Sequence, residues 1–193
     1  MTAPRPAVDA LTARFVAALG RRGAMAELMT VACLAGPPRL ATAPAELPVL
    51  AHLDDALVRV ADDVDDDLRD ALALLGARAA WTPPGGDAAG AGMLEGYARA
   101  TLREDGDEGV SLGLVLLGPG VTYPAHHHPA EEYYLPLGAI RWDHGDGWVD
   151  EPAGELIHHE PWQAHAMAVD ERPVLLAYLW FGEVTVPSTL VER

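Results

Sequence analysis

The chain has 193 residues, half of them hydrophobic, which allows one well-buried core but is too short for two full domains and a linker. Its formal net charge is −16, and all 13 of its cationic side chains are arginines. So acidic a chain repels phosphate backbones, which makes nucleic acid a poor partner, and the absence of lysine excludes Schiff-base chemistry.

Cysteine content and hydropathy exclude further classes of protein. Cys33 is the single cysteine, so neither an intrachain disulfide nor a thiolate metal cluster can form. The first residues lack the unbroken apolar segment of a signal peptide, and no stretch approaches the length that spans a bilayer. We therefore expect a cytoplasmic protein with no membrane partner.

The first 81 residues contain amphipathic segments that predict an α-helical N-terminal region. The acidic run 62–67 lacks the glycine and the distal glutamate of an EF-hand loop, so a helix N-terminus explains it better than a calcium site. These apolar helices permit a homodimer but do not require one. Helices are predicted over residues 8–19, 23–34, 49–60 and 68–80, and Gly20 is expected to end the first.

A segment rich in glycine and proline, residues 81–92, separates the helices from a second region, 93–193, in which the hydrophobic period becomes that of strands. Many short strands divided by Gly, Pro and Asp turns are typical of an antiparallel β-barrel or jelly roll. The expected fold is mainly β, one structural domain in which the helical region 1–81 packs on the barrel. Strands are predicted at 97–103, 110–117, 139–143, 148–149, 155–159, 165–169 and 174–181, with further strands inside 120–138.

The stretch 120–138 concentrates the residues that can carry chemistry. Side chains at i and i+2 of a strand share a face, so His126 and His128 point to one side. Glu132 and Tyr134 form a second such pair after a bend. Two imidazoles and a carboxylate that converge on one point suit a divalent transition metal, with a phenol close beside it.

A second register is open, because neighbouring positions offer a parallel set on the opposite face, namely His127, Glu131 and Tyr133. We favour the first register, since it alone supplies two histidines. A later residue, His165, follows a turn and begins a strand. In a small barrel, a hairpin can bring His165 to the same interior point as a fourth donor.

Two motifs resemble those of the cupin superfamily. Both depart slightly from the usual pattern, since the first is one residue short before its closing glycine and the second lacks a glycine before its histidine. The resemblance implies that His126, His128, Glu132 and His165 together hold one divalent metal ion, for which zinc, iron and manganese are candidates. The motifs are Gly120-x5-His126-x-His128-x3-Glu132-x5-Gly138 and Pro161-Trp-Gln-Ala-His165.

Within the cupins, residues 97–181 most resemble the bacterial Q-type dimethylsulfoniopropionate (DMSP) lyases. Tyr134, two residues after the metal glutamate, is not part of the general cupin pattern but is similar to these lyases, as are Tyr123, Tyr178 and Trp180. The resemblance implies a carbon–sulfur lyase, a dimethylpropiothetin dethiomethylase. Such an enzyme cleaves DMSP to dimethyl sulfide and acrylate by β-elimination.

The implied reaction assigns roles to the tyrosines and tryptophans. Tyr134 as a metal-bound phenolate would take the proton next to the substrate carboxylate, and Tyr123 would bind substrate or act as a second acid/base. Aromatic faces suit the sulfonium cation, which makes Tyr178 and Trp180 candidate substrate-binding residues. Trp142 and Trp162 are further candidates, although core packing explains any one tryptophan better. One of His158 and His159 could lie behind the metal ligands, but a surface position that flanks a turn is the expected one.

Two other functions would use many of the same features. One is a metal-dependent cupin oxygenase or isomerase that acts on another small carboxylate, and the other is a non-catalytic cupin that binds a small ligand. An oxygenase for an anionic substrate would keep an arginine in the barrel. The strand region offers only Arg99, Arg103 and Arg141, none evidently in a pocket, and this favours the lyase.

Overall fold

The structure of the chain, a computed structural model, describes residues 5–23, 38–43, 45–58, 72–73, 75–85, 93–107 and 109–191. These residues are mainly β, as predicted. Their strands are β1 (Trp81–Thr82), β2 (Tyr97–Asp105), β3 (Val110–Leu117), β4 (Thr122–His127), β5 (Glu131–Pro136), β6 (Ile140–Asp143), β7 (Trp148–Glu151), β8 (Ile157–His159), β9 (His165–Ala168), β10 (Val174–Phe181) and β11 (Thr189–Leu190).

The N-terminal helix, Arg5–Arg22, runs past the predicted stop. Its buried stripe repeats every three or four residues, and Leu11, Phe15 and Leu19 are fully buried. The helix ends at Gly23, whose φ of 75° is the left-handed conformation that glycine adopts at helix C-termini. The predicted stop at Gly20 was therefore wrong. Residues 24–34, most of the second predicted helix, lie outside the described residues.

The third predicted helix is divided into a 3-10 helix, Pro48–His52, and a short α-helix, Leu53–Val58. Of the fourth, the described residues between 72 and 76 are helical, but Ala79 already forms a β-bridge with Leu40. The predicted helix end at residue 80 was therefore too late. None of the helices among the described residues is long and apolar enough to cross a membrane.

The strands form two antiparallel sheets that face each other. One sheet has six strands in the order β1-β2-β3-β10-β5-β8, and the other has five in the order β11-β4-β9-β6-β7. Every strand pairing in both sheets is antiparallel. Strands β1 and β11, each of two residues, were not predicted, because two residues give no readable alternation.

The six-stranded sheet is covered on both faces, which explains why its central strands are mainly apolar. All eight residues of β3 and all eight of β10 are buried. One face packs on the N-terminal helix in an outer core that includes Leu112 and Leu179. The other face meets the second sheet in an inner core that includes Val115 and Tyr178. The polar residues of interest lie on this inner side.

Candidate metal centre

The residues of the first register lie together, because side chains alternate between the two faces of β4 and β5. His126, Glu132 and Tyr134 are buried between the sheets, and His128 is buried directly after the end of β4. Glu132 has no exposed surface. These side chains therefore share one interior point, as the i, i+2 pairing predicts.

The second register points away from the inner core. The Tyr133 hydroxyl donates to the Glu131 carboxylate at 3.1 Å, and His158 Nε2 lies 2.8 Å from the same oxygen. Tyr133 belongs to the outer core, and the His127 ring packs edge-on against the exposed Trp162 at a centroid distance of 5.2 Å. This set lies on the other face of its strands.

Cross-strand pairing supplies the partners of the first set. His165 on β9 lies opposite His126 on β4. Glu132 on β5 lies between two neighbours, Trp180 on β10 and His159 on β8. Both sheets therefore contribute side chains to the site, although its members are widely separated in sequence.

Each of the three clustered histidines is oriented by a backbone carbonyl. The Nδ1 atoms of His126, His128 and His165 lie 3.0, 3.0 and 2.9 Å from the carbonyls of residues 124, 130 and 163. A carbonyl can only accept, so each Nδ1 carries a proton and each Nε2 is left to face the centre of the site. Hydrogen bonds of this type hold metal-binding histidines in the required tautomer.

The Glu132 carboxylate faces two of these Nε2 atoms directly. Its Oε2 lies 3.0 Å from His128 Nε2 and 3.2 Å from His165 Nε2. A buried carboxylate this close to two imidazole nitrogens requires positive charge between them, which a proton or a metal cation can supply. Ligand atoms of the three histidines all lie within 4.8 Å of one another. Three imidazole nitrogens and one carboxylate oxygen fit a divalent transition metal.

The protonation states also suit a metal. Burial lowers the pKa of His126 well below its usual value, so its ring is neutral. Burial alone would raise the pKa of Glu132, but His128 and His165 hold it well below the usual range, so the carboxylate is ionised. Metal ligands must be in these deprotonated forms.

His159 is a member of the site that the sequence interpretation placed at the surface, which was wrong. It is fully buried and stacks on the His165 ring at a centroid distance of 4.0 Å. Its ligand atom also lies within 4.8 Å of those of Glu132 and His165. The Trp142 indole N–H donates to His159 Nε2 at 3.1 Å, which places the ring proton on Nδ1. His159 therefore supports His165 by packing.

Two predicted tyrosines lie beside the clustered histidines. Burial raises the pKa of Tyr134 well above its usual value, and the negative charge of the Glu132 carboxylate adds to the shift. The Tyr123 ring stacks on His126 at a centroid distance of 4.0 Å. Burial raises the pKa of Tyr123 to about 12, although a hydrogen bond with Ser188 opposes the shift.

A cavity of about 220 Å³ opens next to these tyrosines. It also contains Arg99, so the expectation that no arginine lies in a pocket was wrong. The Arg99 guanidinium carbon lies 4.6 Å from the Tyr178 ring centroid and 4.4 Å from that of Trp180. The cavity is lined by Thr82, Pro83, Pro84, Gly85, Tyr97, Arg99, Val115, Tyr123, His126, Tyr134, Tyr178, Trp180, Pro187 and Ser188.

The other tryptophans have different surroundings. Trp180 donates its indole N–H to Glu132 Oε1 and stacks on His128 at a centroid distance of 4.3 Å. Trp142 is fully buried in the inner core, and Trp162 is 56% exposed. Neither Trp142 nor Trp162 lines the cavity.

Comparisons with known proteins agree with this geometry. The family model for dimethylsulfoniopropionate (DMSP) lyase matches residues 21–176. The DMSP lyase DddQ of Ruegeria pomeroyi is 27% identical over 199 residues, covering 98% of this chain and 96% of that protein. DddL of Cereibacter sphaeroides, described as a candidate DMSP lyase, is 40% identical over 77 residues, so the match spans 39% of this chain and 32% of that protein.

Solved structures give the fold. The crystal structure of DddQ from Ruegeria pomeroyi has a TM-score of 0.70 and 23% identity, with 96% of each chain covered. The cupin-2 domain protein Rru_A2000 from Rhodospirillum rubrum has a TM-score of 0.50 and 13% identity, covering 60% of this chain and 76% of that one. The predicted cupin fold is confirmed. Since the family model matches most of the chain, this protein belongs to the DMSP lyase family of carbon–sulfur lyases.

Proposed function

We propose that this enzyme cleaves DMSP to dimethyl sulfide and acrylate by β-elimination, with Tyr134 as the base. In this proposal His126, His128, Glu132 and His165 hold one divalent transition metal. The observation that carries the proposal is the placement of the Tyr134 hydroxyl. Tyr134 lines the cavity together with His126 and lies on the same face of β5 as Glu132.

The size and lining of the cavity support a small substrate. About 220 Å³ is below the range of about 300–1,000 Å³ that drug-sized ligands occupy, so a short acid of a few carbon atoms is the appropriate class. Tyr123, Tyr178 and Trp180 line the same cavity and are proposed to contact the substrate or the groups that hold it.

The elimination requires removal of a proton from the carbon next to the substrate carboxylate. The Tyr134 oxygen takes this proton, and the electrons of the broken C–H bond form the carbon–carbon double bond of acrylate. The carbon–sulfur bond breaks with its electron pair going to sulfur, which leaves as neutral dimethyl sulfide. When bound, the metal supplies positive charge that stabilises the carboxylate and favours the phenolate form of Tyr134.

The protein alone does not make Tyr134 a base at neutral pH. Burial, and then the negative charge of Glu132, raise its pKa well above that of a free phenol. A cation held beside Tyr134 would lower this pKa and so favour the phenolate form. Tyr123 is proposed as a second acid/base, which returns the proton or holds the substrate carboxylate.

The test is headspace detection of dimethyl sulfide from purified protein incubated with DMSP. Tyr134→Phe should reduce the rate by about 10²- to 10⁴-fold, the usual contribution of a general base, with metal content unchanged. Tyr133→Phe is the matched control, because it removes a phenol from the same strand on the opposite face. Metal-stripped protein should be inactive and should recover when a divalent metal is added.

Two results would count against the proposal. Release of dimethyl sulfide by metal-stripped protein would remove the metal from the mechanism. Equal activity of the Tyr134→Phe and Tyr133→Phe variants would show that Tyr134 is not the base.

A further inference from the structure

Arg99 occupies a position in the cavity that sequence reasoning did not assign. It lies on β2 with its side chain in the cavity that Tyr123 and Tyr134 also line. Its Nε–H donates to the Tyr178 hydroxyl at 2.9 Å. The Tyr178 hydroxyl accepts this bond, and it lies 3.0 Å from Thr101 Oγ1 in a contact in which either hydroxyl can donate.

The guanidinium group is held from two sides by aromatic rings. Its carbon lies within 4.6 Å of the Tyr178 and Trp180 ring centroids, which is the range of cation–π attraction. A second cation cannot use the faces that Arg99 already covers, and a sulfonium beside Arg99 would be repelled. Tyr178 and Trp180 therefore position Arg99.

Within the described part of the chain, Arg99 has no carboxylate partner, unlike the other arginines on the strands. Arg103 lies 2.7 Å from Asp9, and Arg141 lies 3.9 Å from Asp170. A guanidinium is always charged, and with Nε engaged it still offers four terminal N–H donors. Two of these form the planar fork that matches a carboxylate.

We infer that Arg99 binds the carboxylate of the substrate, and that the cavity selects small monocarboxylates through this contact. The inference rests on the proposed function for the identity of the substrate. It places the carboxylate at the Arg99 end of the cavity and the sulfonium at the end remote from Arg99. Positive charge at the carboxylate also stabilises the negative charge that develops when the α-proton leaves.

The experiment measures binding of propionate, which has the carboxylate but no sulfonium, by calorimetry on metal-loaded protein of verified metal content. Removing one partner of a desolvated charge pair typically weakens binding by about thirtyfold or more. Arg99→Met and Arg99→Gln, two neutral side chains of similar length, should both show this loss. Arg141→Met is the matched control, because it removes the same charge from an exposed position. Propionamide, which is uncharged, should bind wild-type protein no better than it binds either Arg99 variant.

The outcomes separate this inference from the proposed function. Propionate affinity and KM for DMSP that are unchanged in a folded Arg99 variant would overturn the role of Arg99, even if dimethyl sulfide is released normally. If wild-type protein binds propionate through Arg99 but releases no dimethyl sulfide, the carboxylate site stands and the proposed reaction fails. A rise in KM larger than the fall in kcat would support ground-state binding by Arg99.

Discussion

Replacement of Trp180 by phenylalanine tests whether the carboxylate of Glu132 is prepared for a metal. The Trp180 indole N–H donates to Oε1 of Glu132, while Oε2 faces His128 and His165. Phenylalanine keeps an aromatic ring against His128 and beneath Arg99 but removes the donor. The carboxylate then loses the contact that directs Oε2 toward the histidines.

The size of the effect follows from the strength of that hydrogen bond. A hydrogen bond to a charged group contributes about 1.5–3 kcal/mol, and each 1.4 kcal/mol is a factor of ten in affinity. We therefore expect the metal dissociation constant to rise about ten- to a hundredfold. Loss of a group that orients a metal ligand commonly has an effect of this size, about 10- to 100-fold.

The assay is competition for zinc or manganese against a chromophoric chelator at fixed pH. Trp148→Phe is the matched control, because the substitution makes the same change in side-chain chemistry. Trp148 lies on β7 and is 41% exposed. A Trp180→Phe protein that binds metal as tightly as wild type would refute the reasoning. So would an equal loss in the Trp148→Phe control.

Two further predictions concern stability. A Cβ at Gly113 would lie 2.3 Å from the Ala100 carbonyl oxygen and 2.4 Å from the Tyr178 ring, so Gly113→Ala should destabilise the fold by about 1–3 kcal/mol in urea titration. Gly106→Ala, where a Cβ meets nothing within 4 Å, should change little, and equal losses would contradict the steric argument. The second prediction concerns pH, because burial lowers the pKa of His126 and lowers that of His159 to about 2. As the pH falls through about 6.5, these two histidines take up protons in the unfolded chain but not in the folded protein. Metal-stripped protein should therefore lose about 2 kcal/mol per histidine between pH 7 and pH 5, and undiminished stability at pH 5 would show that these rings are not buried neutral.

Strands with a strong hydrophobic signal could be predicted almost to the residue. The bounds of β3 and β10 are those expected from the sequence, because long apolar runs between turn residues allow little choice. Helix ends were less predictable. Gly20 was expected to end the first helix and Gly23 to begin the second, but Gly23 has the positive φ and follows the end of the first helix. Local sequence does not determine which glycine takes the left-handed conformation.

The first set of site residues could be predicted because it depends on short-range geometry. Side chains two apart on one strand share a face, which groups His126 with His128 and Glu132 with Tyr134. The position of His159 could not be predicted in this way. His158 and His159 are adjacent, so either one could face inward, and only the register of β8 against β5 selects His159. That register depends on long-range pairing.

Arg99 shows where alternation misleads in a two-sheet fold. The opposite face of β2 carries Ala98, Ala100 and Leu102, which belong to the outer core. On an exposed sheet, the side that carries an arginine would be the solvent side. Here the second sheet covers that side of β2, so the charged side chain of Arg99 lies in the cavity.

A glycine in β3 is the sequence feature that could have located this pocket. Gly113 lies inside a mainly apolar strand, and glycine inside a strand often marks a place where another group approaches closely. In the structure that group is the Tyr178 ring, which lies directly opposite Gly113 on β10 and holds Arg99 by its hydroxyl. The ring can occupy that space only because residue 113 has no side chain. The position of the Arg99 guanidinium therefore depends on Gly113 and Tyr178. These two residues are far apart in sequence, and the pairing of β3 with β10 brings them together.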